Sequence, residues 1–145
     1  MSSTAVDTSV LVAGLLSWHE SHSAALGALQ AALRSGNGLV IPLPAVLEAY
    51  AVMTRLPSPH RLAPARAFEL LAGSLENRAV VVGLSGSEVW KFLKVLALEG
   101  VAGGRTYDAS ILACALKAGA KRLLTLDAGD FGRLDVRGIE IVVPE

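Results

Sequence analysis

Four carboxylates interrupt segments of this chain that are otherwise apolar. In chain order they are Asp7 in AVDTSVLVAGLL, Glu48 in PLPAVLEAYAVM, Asp108 in TYDASILACAL and Asp127 in LLTLDAGDF. Aspartate and glutamate are rarely buried unless they are paired or hold a metal ion. Because the four segments are spread along one short chain, we expect folding to bring these carboxylates to one place.

The chemistry of such a cluster depends on what balances its charge. Carboxylates with no lysine or arginine beside them repel one another unless they are protonated or bind a cation. Mg²⁺ and Mn²⁺, which prefer oxygen ligands, fit this requirement. A bound ion of this kind lowers the pKa of water and positions it for in-line attack on a phosphate. The sequence therefore predicts a metal-dependent enzyme that acts on phosphates and needs no His, Ser or Cys nucleophile.

Position along the chain suggests a role for each acid. We expect Asp7 and Asp108 to bind the ion directly, because each opens a predicted helix that would hold it rigidly. Glu48 and Asp127 are expected to hold a second ion or to orient water. Asp130 lies three residues after Asp127 and could replace or assist it, and the sequence does not separate the two.

Three arginines near these acids are candidates for binding substrate phosphates. Arg105 and Arg133 each lie within five residues of a proposed acidic ligand, and Arg55 lies on the predicted Glu48 helix. The net charge of the whole chain is zero, which argues against a broadly basic coat. A nucleic-acid substrate would therefore need a local patch of this kind.

The elements that must position these residues alternate between apolar runs and helical patterns, as is typical of an α/β fold with a parallel sheet. Predicted strands cover residues 4–6, 39–41, 79–82, 123–126 and 139–143. Predicted helices start near residue 9 and cover 21–34, 44–55, 64–75, 85–100 and 108–118. In the helix over 64–75, the apolar residues Phe68, Leu71 and Leu75 are expected to share one face, with Glu69 and Glu76 turned away. With right-handed crossovers, we predict a three-layer α/β/α fold whose short parallel sheet has the order 3-2-1-4-5.

This topology explains why the carboxylates should converge. In open α/β sheets, ligands bind at the carboxyl ends of the strands. Asp7 and Asp127 directly follow the first and fourth predicted strands, so both would project from the same edge. Glu48 and Asp108 lie near helix starts that can face this edge, where the helix dipole favours a negative charge.

Composition limits the class of protein. The 145 residues are 52% apolar, with a mean hydropathy of +0.51, which predicts one compact domain over residues 1–145. No apolar run reaches the ~18 residues of a membrane span, and the N-terminus lacks a secretory pattern. Cys114 is the only cysteine, which excludes a disulfide framework and a thiolate metal site. We therefore expect a cytoplasmic protein without a membrane partner.

The chain resembles the PIN-domain ribonucleases, specifically the VapC-type toxins of type II toxin–antitoxin pairs. The resemblance is carried by AVDTSVLVAGL, PAVLEAYAVMTRL and TYDASILACALKAGAKRLLTLDAGDF, whose order and spacing cover nearly the whole chain. It implies a PIN-like fold and a Mg²⁺- or Mn²⁺-dependent endoribonuclease that cuts structured RNA of the tRNA or rRNA class. It also implies a homodimer and a small antitoxin protein that blocks the site.

The resemblance also assigns positions. Asp7, Glu48 and Asp108 match the three principal acidic positions of the family. Asp127 and Asp130 compete for a fourth, variable position, and Thr125 matches the small hydroxyl residue that usually precedes it.

Other interpretations of the same residues remain open. A phosphatase or phosphotransferase could use Asp7 as a nucleophile, and a receiver-like signalling domain could use it without catalysis. The first usually needs an acid two residues later, where this chain has Ser9, and the second needs a phosphoacceptor aspartate that residues 80–84 do not offer. A nuclease is therefore the preferred hypothesis.

Each acid could also have a purely structural role. Asp7 and Asp108 could be helix N-caps. Glu48 could pair with Arg55. Asp127 and Asp130 could stabilise a turn around the glycine between them. The argument for a site rests on all the acids together.

Overall fold

A parallel sheet of five strands forms the middle of the fold. The computed structural model describes residues 3–145, and its strands are β1 (Thr4–Val6), β2 (Leu39–Pro42), β3 (Val80–Val82), β4 (Arg122–Leu124) and β5 (Glu140–Val142). All neighbours are parallel, in the order β3-β2-β1-β4-β5. The predicted three-layer α/β/α fold and strand order are confirmed. The predicted domain limits of 1–145 include residues 1 and 2, which lie outside the described part of the chain.

Six helices connect the strands. They are α1 (Thr8–Leu15), α2 (His22–Arg34), α3 (Leu43–Thr54), α4 (Pro64–Leu75), α5 (Gly86–Glu99) and α6 (Arg105–Lys117), and a short 3₁₀ helix covers Ala128–Phe131. Over residues 3–145, no helix combines the length and the apolar character needed to cross a membrane. Two boundaries matter for the acids. Helix α6 begins three residues earlier than predicted, and β4 ends two residues earlier.

Local sequence signals explain where α5 begins and ends. The Ser85 hydroxyl accepts a hydrogen bond from the backbone N–H of Glu88 at 3.3 Å, and the Glu88 carboxylate accepts one from the N–H of Ser85 at 2.7 Å. This capping box satisfies two N–H groups that the first turn would otherwise leave unpaired. Gly100 ends the helix with φ of 72°, a left-handed conformation that glycine adopts without strain.

The core lies on both faces of the central strands. Strands β1 and β2 are buried along their whole length, as expected for strands covered on both sides. Helices α1 and α2 pack closely because Gly14 has no side chain. A Cβ atom there would overlap the Leu29 Cδ1 atom. Phe131 is buried and anchors the 3₁₀ helix to the core.

Phe68 lies along the same groove as Leu71 and Leu75, but it is not buried with them. Leu71 and Leu75 are buried, but Phe68 is 62% exposed. The groove is open and also contains Tyr50 and Val81, on the side of the sheet edge formed by β3. Helical periodicity places Phe68 on the correct side of α4, but the described chain provides no element that covers it there.

Candidate active site

Four carboxylates surround one small cavity of about 220 Å³. The residues that line it are Asp7, Thr8, Ser9, Val12, Glu48, Val52, Asp108, Ile111 and Asp130. They come from the start of α1, from α3, from the first two turns of α6 and from the 3₁₀ helix. The structure therefore brings together acids that are separated by up to 123 positions in the sequence.

Asp7 is the most rigidly held of the four. It lies directly after β1, is only 6% exposed, and caps α1 by accepting a hydrogen bond from the Val10 N–H at 3.2 Å. Its own backbone N–H donates to the Leu124 carbonyl at 3.0 Å, which ties it to β4. Burial raises the pKa of Asp7, and hydrogen bonds, chiefly from the Ser9 and Thr125 hydroxyls, oppose that rise. Asp7 is thus a helix cap and also a wall of the cavity.

Ser9 is a site residue that the sequence reasoning missed. Its hydroxyl donates to the Asp7 carboxylate at 2.6 Å and accepts a hydrogen bond from the Leu126 N–H at 2.9 Å. It therefore connects the start of α1 to the loop after β4. The signal was available, because a serine two residues after an N-cap aspartate is well placed to hydrogen-bond to it.

Glu48 lies on α3 and is exposed where it borders the cavity. Arg55 follows the last residue of α3 and makes no ion pair with Glu48. The purely structural Glu48–Arg55 pair is therefore not formed.

Among the acids that line the cavity, Asp108 has the most strongly shifted pKa. It is the fourth residue of α6, and the N-cap position of that helix is Gly104, so Asp108 is not the cap. Burial, followed by the negative charges of the other acids, raises the pKa of Asp108 to about 6. The neighbours that contribute, in decreasing order, are Asp130, Asp7, Glu48 and Asp127. The acids therefore interact electrostatically as one cluster.

Asp127 and Asp130 differ in what they contact. The Asp127 carboxylate accepts a hydrogen bond from the Gly129 N–H at 3.1 Å and caps the 3₁₀ helix, and it does not line the cavity. Its backbone N–H donates to the buried Thr125 hydroxyl at 3.0 Å. Asp130 does line the cavity, and its pKa is raised by burial and then by the charge of Asp127. Asp130 is the better placed of the two because β4 ends early and the chain turns before Asp127.

The comparisons with known proteins identify the family of this chain. The model of the PIN domain family matches residues 4–136, which contain every acid named above. This chain belongs to the PIN-domain family. It is 42% identical over 123 residues to ribonuclease VapC40 of Mycobacterium tuberculosis, a match that covers 85% of each protein. The resemblance to VapC-type PIN domains that the sequence predicted is confirmed.

Solved structures share the fold at lower identity. The crystal structure of VapC20 from Mycobacterium tuberculosis, a sarcin-ricin loop cleaving toxin, is 18% identical with a TM-score of 0.68, over 88% of this chain and 92% of that one. VapBC2 from Rickettsia felis, bound to a promoter DNA fragment, is 15% identical with a TM-score of 0.67, over 98% of both chains. At these identities the comparison shows the PIN fold.

Among the described residues of this PIN domain, no basic side chain forms an ion pair with an acid that lines the cavity. The ion pairs within residues 3–145 are Arg66–Glu69, Lys117–Glu88 and Arg137–Asp135, and none of them involves a cavity residue. Arg105 is partly buried at the start of α6 and Arg133 is exposed just after the 3₁₀ helix. Neither lines the cavity, so neither arginine balances the charge of the cluster there.

The donor set of the PIN domain fits a hard divalent cation. All polar side chains around the cavity are oxygen donors, the type that Mg²⁺ and Mn²⁺ prefer. The Thr8 hydroxyl is buried beside the carboxylates and has no hydrogen-bond partner, an arrangement that is costly unless something binds there. In the described chain, no three His, Cys, Asp or Glu side chains are arranged to hold an ion together. An ion would therefore be held by one or two carboxylates, with water or phosphate oxygens completing its ligands.

Proposed function

We propose that this protein is a metal-dependent endoribonuclease, the toxin of a toxin–antitoxin pair, which hydrolyses phosphodiester bonds in structured RNA. The observation that carries the proposal is the cavity lined by Asp7, Glu48, Asp108 and Asp130 without a compensating base. Membership of the PIN-domain family and 42% identity to ribonuclease VapC40 support the same activity.

The proposed cofactor is Mg²⁺ or Mn²⁺. When bound, such an ion would lower the pKa of water and neutralise charge on the phosphate. Asp7 and Asp108 would bind it directly, because both are held on the first turn or cap of a helix. Glu48 and Asp130 would hold a second ion or accept the proton of the attacking water, with Asp127 adding negative charge from outside the cavity. Ser9 and Thr125 would keep Asp7 and the loop after β4 in position.

The substrate would be gripped at the rim of the cavity. Arg105 precedes Asp108 by three residues and Arg133 follows Asp130 by three, so both side chains start close to the acids. Arginine binds phosphate groups through a planar fork of donors. VapC20 is a sarcin-ricin loop cleaving toxin, and its structural likeness supports RNA as the substrate, for which we propose the tRNA or rRNA class.

An antitoxin partner has a suitable surface beside the acids. A groove of about 560 Å³ lies between α3, α5 and α6, and its apolar walls include Leu47 and Tyr107, which are 62% and 64% exposed. Glu48 borders both this groove and the carboxylate cavity. A segment bound in the groove would therefore also cover the active site. The likeness to VapBC2 supports a VapB-type protein as this partner.

A homodimer is proposed through a neighbouring groove, which Leu47 of α3 also lines. Strand β3 is an edge of the sheet, and its Val80 and Val81 are 62% and 50% exposed next to Phe68. An uncovered apolar strand edge of this kind usually pairs or is covered in solution. A cytoplasmic location, where RNA would be available, stays a prediction.

The activity is tested by incubating purified protein with an RNA that contains hairpin loops, in Mg²⁺, in Mn²⁺ and in EDTA. We expect cleavage with either ion and none in EDTA. Asp7→Asn and Asp108→Asn should each reduce the rate by at least about 100-fold, because each would remove an ion ligand. Exposed Asp135, which pairs with Arg137, offers the matched control Asp135→Asn.

Two results would refute the proposal. If RNA cleavage in EDTA equalled that in Mg²⁺, the proposed dependence on a metal ion would be wrong. If the Asp7→Asn and Asp108→Asn variants were as active as Asp135→Asn at saturating Mg²⁺, the proposed catalytic role of the carboxylate cluster would be wrong. A phosphatase would instead release phosphate from a monoester and leave internal RNA bonds intact.

A further inference from the structure

An exposed aromatic pair joins two turns of the chain. Trp18 lies in the turn between α1 and α2, and His60 lies in the turn between α3 and α4. Their rings are stacked, with centroids 4.1 Å apart and 26° between the planes. Trp18 is nevertheless 47% exposed, and His60 is exposed as well. The stack therefore orders the indole ring without burying it.

The chain around His60 is locally basic. Residues 49–68 contain Arg55, Arg61 and Arg66 and no aspartate or glutamate, in a protein whose net charge is zero. Arg66 pairs with Glu69 at 3.5 Å, whereas Arg55 and Arg61 form no ion pair within residues 3–145. In the turn that carries Trp18, the only acid is Glu20.

Both turns follow helices that line the carboxylate cavity. Helix α1 lines it through Thr8 and Val12, and α3 lines it through Glu48 and Val52. Helix α1 has only eight residues, so its length is about 12 Å. Trp18 follows Val12 by six residues and His60 follows Val52 by eight, so a polynucleotide that extends from the cavity along these two helices would meet the aromatic pair.

We propose that the Trp18–His60 stack, with Arg55 and Arg61, is a second contact site for the RNA substrate, at which an unpaired base stacks on Trp18 while the arginines bind the flanking phosphates. The inference rests on the proposed function, since it takes RNA as the substrate. Stacking on aromatic rings and cationic contact with the backbone are how proteins bind unpaired nucleotides. A ring already held by His60 loses little freedom when a base binds, which favours binding.

Tryptophan fluorescence tests the proposal directly, because the chain has only Trp18 and Trp90. Trp90 lies on α5, is 74% exposed and does not line any groove described above. In Trp90→Phe protein, a fluorescently labelled RNA hairpin with an unpaired loop should quench the emission of Trp18 as the RNA anisotropy rises. In Trp18→Phe protein, which keeps Trp90, the same RNA should bind with little quenching. RNA binding that leaves the emission of Trp18 unchanged would overturn the proposal.

Affinity provides a second test with matched controls. Trp18→Ala should weaken binding of the looped hairpin by about tenfold relative to Trp90→Ala. A fully paired duplex with the same stem should bind both variants equally, because it offers no unpaired base. Arg61→Ala should weaken binding and make it less sensitive to salt than Arg78→Ala, whose arginine lies after α4.

The outcomes separate this inference from the proposed function. Thermal unfolding shows whether Trp18→Ala is folded, and if it is not, the fluorescence and Arg61 experiments decide. The second contact site alone would be overturned by the following result. Wild-type protein cleaves RNA, but Trp18→Ala has the same RNA affinity as Trp90→Ala, and Arg61→Ala has the same affinity and salt dependence as Arg78→Ala. Wild-type protein that neither binds nor cleaves RNA would overturn both. Loss of antitoxin binding by Trp18→Ala with unchanged RNA affinity would mean that the surface binds the antitoxin instead.

Discussion

Asp108→Asn should stabilise the metal-free protein at neutral pH while abolishing its activity. In the folded chain, burial and the neighbouring acids raise the pKa of Asp108 from its ordinary 3.8 to about 6. The Asp108 carboxylate accepts no hydrogen bond within the described residues, so an amide in its place loses no such partner. Replacing the charge with a neutral group of the same shape therefore removes the cost of burying a charge and, second, the repulsion by the neighbouring acids.

The size of the effect follows from the pKa. Raising it from 3.8 to about 6 corresponds to about 3 kcal/mol of unfavourable free energy when Asp108 is ionised. Asp108 remains partly in contact with water, which reduces both the cost of burial and the repulsion. We therefore expect Asp108→Asn to raise the free energy of unfolding by about 1–2 kcal/mol at pH 7.

The pH dependence has a defined sign. Because the folded protein holds the Asp108 proton more tightly than the unfolded chain, folding takes up protons between pH 3.8 and about 6. Wild-type stability should therefore fall as pH rises through this window, and the stabilisation by Asp108→Asn should grow from near zero below it to its full value above it.

Urea unfolding in EDTA, followed by circular dichroism from pH 4 to pH 8, measures this difference. Asp135→Asn, at an exposed position outside the cluster, should change the stability by less than about 1 kcal/mol at every pH. An Asp108→Asn protein that is less stable than wild type at pH 7, or whose stability difference does not change with pH, would contradict the electrostatic account of the cluster.

Three further predictions concern the residues around Asp108. Ser9→Ala should lower the free energy of unfolding by about 1–3 kcal/mol and slow RNA cleavage, because the Leu126 N–H and the Asp7 carboxylate both lose a partner; unchanged thermal stability would contradict this. Asp130→Asn should weaken Mg²⁺ binding measured by calorimetry more than Asp127→Asn does, because only Asp130 lines the cavity; the reverse order would identify Asp127 as the fourth acid. Arg105→Ala and Arg133→Ala should lower RNA affinity and its salt dependence relative to the distant Arg34→Ala, whereas equal affinities and salt slopes in all three variants would exclude a basic rim.

The alternation of elements could be read from the sequence because it depends on local patterns. Helix α4 has the predicted limits, and the capping box of α5 forms between Ser85 and Glu88 as the spacing requires. The strand order was predicted from the strand–helix alternation together with the right-handed crossover rule, and the family from three motifs that span nearly the whole chain. These features could be predicted because each depends on short sequence patterns or on the preferred handedness of strand connections.

The acids themselves were also visible in the sequence, since a carboxylate in an apolar segment stands out. Asp7, Glu48 and Asp108 were named from their surroundings, and all three line the cavity. Whether each acid was only a structural residue could not be decided from the sequence. The structure shows that Asp7 is a cap as well as a wall of the cavity, and that Glu48 has no arginine partner.

Only the tertiary structure shows that Asp130 lines the cavity and that Asp127 does not. Their positions depend on where β4 ends and on how the following turn is oriented. The bridging role of Ser9 likewise depends on the loop after β4 approaching α1 across more than a hundred residues. The exposure of Phe68 depends on what covers a helix face, which periodicity does not encode. The stack of Trp18 on His60 joins two turns that are 42 residues apart in the sequence. Local patterns determine which elements form and which side chains are unusual, whereas contacts between distant segments depend on packing, and packing is decided only when the whole chain folds.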